Sequence, residues 1–287
     1  MSLEFRPLTD GAFAVEVVGA SPDLRIDDAA LAAIEAAWFR HSILVFRDLD
    51  MTPAEHVAFT RRLGPLHVMV PGEFNLPDQP EVWVVGNAEE NGKPLGLRGA
   101  GMGFHTDGED KQVPNAGSFL YAKIVPPEGG DTLFADMYAV YEALPAELKA
   151  TIAGRRARFS RAEMHAINYP DMRPYTQAEL AARPDVYHPL ARRHDRSGRV
   201  SLYVGRWACD IEGLPKDEGR AIIAFLQEFA RQERFVYRHR WRDGDAVLWD
   251  NRCTQHCATP FDEARYTRLM HRTTLEGTAP IMAEAQA

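Results

Sequence analysis

The stretch FVYRHRWRDGDAVLWDN, residues 235–251, carries the clearest strand signal in the sequence. Aromatic and β-branched residues dominate its two halves, and such residues favour strands. Asp243-Gly244 stands between the halves, and this pair is typical of a tight hairpin turn. We therefore expect an antiparallel hairpin here. Three other runs predict further strands: EVWVV (81–85), SFLYA (118–122) and VSLYV (200–204).

Helical patterns lie between and around these strands. TPAE, residues 52–55, is a capping box with Thr52 as N-cap and Glu55 three residues later, so a helix is expected to begin there. Apolar spacing predicts three more helices: around residues 31–38, 137–154 and 215–232. The expected fold is mainly β with peripheral helices. Since no repeat or linker divides the chain, a single domain over residues 1–287 is predicted.

A glycine-rich segment interrupts the strand pattern between residues 86 and 103. It contains six glycines and few large apolar residues. Long loops without regular structure are often active-site lids. We therefore predict a mobile lid loop over residues 86–103.

The composition excludes several classes of function. The 287 residues include 33 basic and 41 acidic side chains, giving a formal net charge of −8. Such a chain has no general basic field to attract nucleic acid or an anionic membrane. No secretory signal or apolar run long enough to cross a bilayer is present, and three cysteines do not form a disulfide framework. A cytoplasmic protein is expected.

The stretch GFHTDGED, residues 103–110, places His105 and Asp107 two residues apart. On an extended backbone these two side chains project to the same face and could bind one metal ion. One more histidine would complete the two-histidine, one-carboxylate triad of non-haem Fe(II) oxygenases. Taken alone, the same pattern is also typical of a solvated turn.

A second stretch, WDNRCTQHCATPFDEARYTRLMHRTT at residues 249–274, bears on this choice. It resembles the most diagnostic part of the taurine dioxygenase / 2,4-dichlorophenoxyacetate dioxygenase (TauD/TfdA) family. PPEGGDT (126–132) and RHSILVFRD (40–48) resemble two other elements of that family. The resemblance implies a double-stranded β-helix, or jelly roll. It also implies an Fe(II)-dependent dioxygenase that uses 2-oxoglutarate and O₂.

The resemblance assigns roles to particular residues. By this similarity, His105, Asp107 and His256 bind iron, while Arg268 and Thr132 bind the distal carboxylate of 2-oxoglutarate. A guanidinium suits that last role because it is always charged and matches a carboxylate with two parallel hydrogen bonds.

The resemblance also implies a small substrate with an anionic head group. Arg272 stands where relatives bind the head group of aryloxyalkanoates, alkylsulfonates or sulfate esters. Met69 and Trp207 fall at substrate-pocket positions and favour an apolar substrate body, which makes taurine itself a poor candidate. The charged run at residues 109–111, shortly after the first two metal ligands, departs from the family, and its Glu109/Asp110 pair leaves room for a substrate that also carries a positive charge.

Other hypotheses remain open from the sequence. The same triad could hold zinc and catalyse hydrolysis, or the jelly roll could bind 2-oxoglutarate or an organic anion without turnover. Cys253, His256 and Cys257 could instead form a zinc site, although no second cysteine pair accompanies them. By analogy with relatives, a homodimer or homotetramer is expected.

Overall fold

The computed structural model describes residues 3–70 and 72–284. Its helices are α1 Asp28–His41, α2 Pro53–Leu63, α3 Met137–Glu142, α4 Ala146–Ile152, α5 Arg161–Asn168, α6 Gln177–Ala181 and α7 Lys216–Ala230. Its first nine strands are β1 Glu4–Pro7, β2 Ala14–Val18, β3 Ile43–Phe46, β4 Asn75–Leu76, β5 Gln79–Gly86, β6 Glu89–Glu90, β7 Lys93–Pro94, β8 Gly117–Ile124 and β9 Thr132–Asp136. The others are β10 Arg156–Phe159, β11 Val186–Pro189, β12 Ala191–Arg193, β13 Val200–Leu202, β14 Ala208–Ile211, β15 Val236–His239, β16 Ala246–Asp250, β17 Thr254–Ala258, β18 Leu269–Leu275 and β19 Ile281–Met282.

Two sheets enclose the interior of the molecule. Among the described strands, the larger sheet has eight, in the order β1-β2-β3-β16-β8-β18-β5-β4, and the smaller has the order β15-β9-β17. The two sheets pack face to face through apolar side chains. Phe134 of the smaller sheet and Trp241, just after β15, contact the cluster of Val247, Trp249 and Met270 in the larger sheet. This arrangement is the predicted jelly roll, and the mainly β fold class is confirmed.

The hairpin predicted for residues 235–251 is wrong. β15 pairs with β9 in the smaller sheet, whereas β16 pairs with β3 and β8 in the larger one. Because β16 has a partner on each side, it offers no free edge to β15. Asp243-Gly244 does form a turn, with Gly244 at φ +83°, but this turn carries the chain from one sheet to the other.

The predicted helices form, but one of them is divided into two. Asp27 accepts a hydrogen bond from Ala30 N at the start of α1, and the Thr52–Glu55 capping box begins α2. The helix expected over residues 137–154 is two short helices, α3 and α4. Pro145 separates them, because proline disfavours a helical conformation in the residue before it.

The helices cover the outer face of the large sheet and one side of a further three-stranded sheet, β11-β10-β14. α1 and α2 pack on one apolar cluster with β3 and β8, and α7 packs on another with β10 and β14. No helix in the described part of the chain is long and apolar enough to cross a membrane.

The predicted lid segment contains some regular structure. β6 and β7 pair as a short hairpin, and Leu97 N donates a 3.1 Å hydrogen bond to Val84 O on β5. Further along, Met102 lies beside Ala258 in a bridge. The segment is therefore attached at its middle and near its end, and its mobility stays a prediction.

Candidate active site

His105 and His256 are brought together by the backbone. His256 lies in β17, and His105 pairs with it in an isolated antiparallel bridge. The bridge has two hydrogen bonds, from His105 N to His256 O at 3.0 Å and from His256 N to His105 O at 2.8 Å. The two imidazole centroids consequently lie 4.2 Å apart.

Asp107 completes a compact group with these histidines. Its Oδ1 lies 3.8 Å from Nε2 of His105 and 3.8 Å from Nε2 of His256. Ligand atoms of all three residues lie within 4.8 Å of one another, and all three residues are buried. An ion about 2.1 Å from each ligand atom fits such a group, so the three residues could hold a metal ion.

Neighbouring groups orient two of these ligands. Ser118 Oγ donates a 2.7 Å hydrogen bond to Asp107 Oδ2, which leaves Oδ1 toward the histidines. His105 Nδ1 lies 2.9 Å from Gly103 O, so the Nδ1–H tautomer donates there and keeps the Nε2 lone pair free. Orientation of this kind is what a metal site requires of its surroundings.

The protonation states also suit a cation. Burial lowers the pKa of His105 to about 4 and holds the pKa of His256 well below its ordinary value. Burial alone would raise the pKa of Asp107, but the charge of Arg272, together with the hydrogen bond from Ser118, holds that pKa below its usual range. At neutral pH the group therefore consists of two neutral imidazoles and one carboxylate.

Arg268 is a buried cation without a described counter-charge. It is 6% exposed, and its backbone N–H donates to Asn87 Oδ1 at 2.7 Å. Within residues 3–70 and 72–284 its guanidinium makes no hydrogen bond, and burial lowers its pKa to about 10. Arg268 lines a cavity of about 130 Å³ together with Asn87, Met102, Thr259 and Phe261. A buried charge in such a place needs an anionic partner.

Thr132 lies on the strand beside this cavity. It is buried in β9 and pairs in register with Ala258. Its Oγ1 accepts a 3.0 Å hydrogen bond from Trp241 Nε1. Because a hydroxyl both accepts and donates, its own proton remains available to an anion.

Arg272 lies on β18 and reaches the triad directly. Its Nη1 donates to Asp107 Oδ1 at 3.1 Å, and its guanidinium stacks over the Trp83 ring at 4.5 Å. Arg268 and Arg272 are four residues apart, so an extended backbone directs both to the same face. Arg272 therefore adds positive charge next to the triad.

The two predicted pocket residues differ in their surroundings. Trp207 is 2% exposed, with Arg161 over its ring at 4.4 Å and the Tyr169 ring 5.9 Å away. Met69 is half-buried on the segment between α2 and β4, where its carbonyl accepts from Asn75 Nδ2 at 3.0 Å. The substrate roles of both residues stay predictions.

The zinc site considered for the two cysteines does not form. Cys253 lies with His194 and Asp250, not with His256, and its Sγ donates to Ser42 Oγ at 3.3 Å. Asp250 in that group is neutralised by Arg252 through hydrogen bonds of 2.9 and 2.6 Å. This second group is therefore a charge-paired part of the core.

Sequence reasoning missed several residues around the site. Ser118 donates to Asp107, and Asn87 accepts from the backbone of Arg268. Glu109 accepts from the backbone of Thr106 and Trp207. No recognisable motif in the sequence marks these contacts. The charged run at 109–111 was the available signal for Glu109. The charged run itself does not lie free beside the site, because Asp110 forms a 2.5 Å salt bridge with Arg161.

A buried group of two histidines and a carboxylate inside a jelly roll is typical of the non-haem Fe(II) oxygenases. Comparison with known proteins gives the particular family. The profile described as "Taurine catabolism dioxygenase TauD, TfdA family" matches residues 4–274. The chain belongs to this family, and it is an Fe(II)- and 2-oxoglutarate-dependent dioxygenase that consumes O₂.

Individual relatives agree with this assignment. An alpha-ketoglutarate-dependent 2,4-dichlorophenoxyacetate dioxygenase from Cupriavidus pinatubonensis is 38% identical, over 85% of this chain and 88% of the relative. An (S)-phenoxypropionate/alpha-ketoglutarate-dioxygenase from Sphingobium herbicidovorans is 34% identical over 94% of each chain. The solved structure of AAD-2 with Mn(II) and N-oxalylglycine has a TM-score of 0.84 and 30% identity, covering 99% of this chain and 100% of that one. The predicted family, fold and cofactors are confirmed.

Proposed function

We propose that this dioxygenase hydroxylates a small aryloxyalkanoate, with His105, Asp107 and His256 binding Fe(II). The observation that carries the proposal is the position of Arg272, whose Nη1 lies 3.1 Å from the ligand atom Oδ1 of Asp107. A carboxylate bound by this guanidinium would hold the adjacent substrate carbon next to the metal. Bound Fe(II) with 2-oxoglutarate and O₂ supplies the oxidising power, with succinate and CO₂ as coproducts.

The chain's own residues would bind and orient the reactants. Arg268 would bind the distal carboxylate of 2-oxoglutarate, since its buried guanidinium faces a cavity and makes no hydrogen bond to the described residues. The hydroxyl of Thr132 would donate to the same carboxylate. The rings of Trp249 and Phe134, centred 4.8 and 6.2 Å from that of His256, exclude water from this side of the site.

An aromatic substrate body is supported by the surroundings of Arg272. Trp83 stacks against its guanidinium, which places an aromatic ring beside the proposed head-group site. The two curated relatives above are described as acting on 2,4-dichlorophenoxyacetate and (S)-phenoxypropionate. Hydroxylation at the ether carbon of such a substrate gives a hemiacetal, which breaks down to a phenol and an oxo acid. Alkylsulfonates and sulfate esters are the competing substrate classes.

The site is tested by the visible spectrum of anaerobic protein titrated with Fe(II) and then 2-oxoglutarate. The wild type should develop a charge-transfer band, and His105→Ala should lose it. His271→Ala is the matched control, because His271 alternates with Arg272 along β18 and so points away from the site. No band in the wild type at saturating iron and 2-oxoglutarate would refute the proposal that these three residues bind the metal.

The substrate class is tested by succinate release and O₂ uptake. Phenoxyacetates and phenoxypropionates should stimulate both above the substrate-free rate, and phenol should accumulate in equal amount to succinate. Greater stimulation by alkylsulfonates or sulfate esters would contradict the aryloxyalkanoate proposal while leaving the metal site intact.

We further propose a single domain whose segment 86–103 closes over the cosubstrate. Ala100 and Met102 of this segment line the cavity next to Arg268, which supports the lid role. Limited proteolysis should cut the segment more slowly when Mn(II) and N-oxalylglycine are present. The homo-oligomer and the cytoplasmic location stay predictions, and light scattering tests the former.

A further inference from the structure

Glu109 belongs to the charged run that the family resemblance left without a role, and its carboxylate is enclosed. It is 1% exposed, and each of its oxygens accepts one backbone hydrogen bond. Oε2 accepts from Thr106 N at 2.8 Å, and Oε1 accepts from Trp207 N at 2.8 Å. Hydrogen bonds to a carboxylate are among the stronger ones in proteins. Glu109 therefore joins two segments that are about a hundred residues apart in sequence.

One of these segments is the turn that carries two of the triad residues. Thr106 stands between His105 and Asp107, and its Oγ1 donates a 3.0 Å hydrogen bond to Thr254 O on β17. The turn is thus held on one side by β17 and on the other by Glu109. Losing either contact would free the backbone that sets the separation of the two ligands.

The other segment, residues 205–207, is shaped to receive the carboxylate. A Cβ added at Gly205 would lie 1.7 Å from Glu109 Oε2, so a larger residue at this position would displace the carboxylate from its two hydrogen bonds. Gln227 of α7 donates a 2.7 Å hydrogen bond to Gly205 O and fixes the segment from behind. The fit identifies a built contact rather than a chance approach of two loops.

We propose that Glu109 is a positioning residue, a carboxylate clamp that sets the spacing of His105 and Asp107 and ties their turn to residues 205–207. The inference rests on the proposed metal site. Without the Glu109 carboxylate, Thr106 N and Trp207 N would be buried without a hydrogen-bond acceptor, which is energetically unfavourable. The turn that carries the two ligands would then shift to relieve this penalty. Metal affinity then falls because the ligands no longer lie at the required separation.

The test uses the full-length protein and Mn(II) binding followed by electron paramagnetic resonance. Glu109→Ala should weaken Mn(II) binding by about 10- to 100-fold, the usual effect of removing a group that orients metal ligands. Glu109→Gln keeps one acceptor oxygen and should fall between Ala and wild type. It also carries the test if the alanine variant does not fold.

Asp136→Ala is the matched control. Asp136 Oδ1 likewise accepts from two backbone N–H groups, those of Tyr138 and Ala139, but it caps α3 and does not hold the ligand turn. Its loss should lower the free energy of unfolding, measured with urea, yet leave Mn(II) affinity within about twofold of wild type.

Two results would overturn the inference. Folded Glu109 variants could bind Mn(II) as tightly as wild type, or Asp136→Ala could weaken binding as much as Glu109→Ala at equal loss of stability. Failure of the metal site itself is distinguishable, because then the wild-type protein would bind no Mn(II). The charge-transfer band with Fe(II) and 2-oxoglutarate gives a second readout, which should shift in Glu109→Gln and not in Asp136→Ala.

Discussion

At the scale of single residues, Arg268 and Arg272 differ in the surroundings of their guanidinium groups. Arg268 is buried and lacks a described hydrogen-bond partner for its guanidinium, whereas Arg272 already contacts Asp107. The first is therefore suited to an anion that binds in an enclosed cavity. The second is suited to a head group that arrives next to the metal.

Arg268→Ala should weaken 2-oxoglutarate binding by about 10- to 100-fold, because charged hydrogen bonds contribute about 1.5–3 kcal/mol each. The measurement is an anaerobic titration of the charge-transfer band. Arg240→Ala, which removes an exposed arginine from the loop after β15, should leave the dissociation constant unchanged. Equal affinity in Arg268→Ala and wild type would remove this residue from the cosubstrate site.

Arg272→Ala should weaken the binding of substrate far more than the binding of 2-oxoglutarate. We expect the KM for a phenoxyacetate to rise by at least about tenfold, from the loss of one charged hydrogen bond. The dissociation constant of 2-oxoglutarate should change by less than about threefold. Steady-state O₂ uptake gives the first value and the spectral titration gives the second. A parallel loss of both affinities would mean that Arg272 supports the cosubstrate instead.

At the scale of elements, the pairing of β5 with β18 holds the backbone of Arg268 in place. Gly86 ends β5 at φ +138°, and a Cβ there would lie 2.0 Å from Arg268 O. The backbone N–H of Asn87 donates to the same carbonyl at 3.1 Å. The strand end therefore fixes the backbone from which the Arg268 side chain extends.

Gly86→Ala should consequently lower both stability and 2-oxoglutarate affinity. Strained backbone costs about 1–3 kcal/mol, and the clash with Arg268 O adds to it. Gly92→Ala is the control, because Gly92 also has a positive φ, +74°, but meets nothing within 4 Å. Urea unfolding and the spectral titration measure the two effects. The idea fails if the two variants are equally stable and bind 2-oxoglutarate equally well.

Strands β15 and β16 show where prediction at this scale fails. The residues of 235–251 were read correctly as strand, turn and strand, but not as partners. Turn propensity depends on a few adjacent residues, whereas pairing depends on which edges distant strands leave free. β3 and β8 come from much earlier in the chain and occupy both edges of β16.

At the scale of the whole molecule, buried histidines couple stability to pH. His56 is fully buried, and burial lowers its pKa to about 3; His188 is 1% exposed, and burial lowers its pKa to about 4. In the unfolded chain a histidine has a pKa near 6.5. The unfolded state therefore binds protons first as the pH falls. These groups leave stability intact above about pH 6.5 and reduce it progressively toward pH 4.

Between pH 7.5 and 5.5, each such histidine should lower the free energy of unfolding by about 1.4 kcal/mol. Urea unfolding of metal-free protein at the two pH values measures the difference. His56→Gln should reduce that difference by about one histidine's share, even though it also loses the hydrogen bond to Thr273 Oγ1 at both pH values. An unchanged difference in this variant would show that His56 does not contribute.

The sequence by itself determined the features that depend on near neighbours. The helix start at Thr52, the His-x-Asp spacing and the order of the two arginines can all be recognised within a few residues of sequence. The resemblance to a known family supplied the fold and the chemistry. All of these features depend on local hydrogen bonding, on the periodicity of apolar residues or on short sequence motifs.

Only the tertiary structure decided how these pieces meet. It brought His256 within a backbone bridge of His105, set Ser118 on Asp107, and enclosed Glu109 between two distant segments. It also sent β15 and β16 to different sheets. The physical reason is that burial and strand pairing join residues far apart in the chain, so their partners are chosen by the whole fold and not by any single stretch.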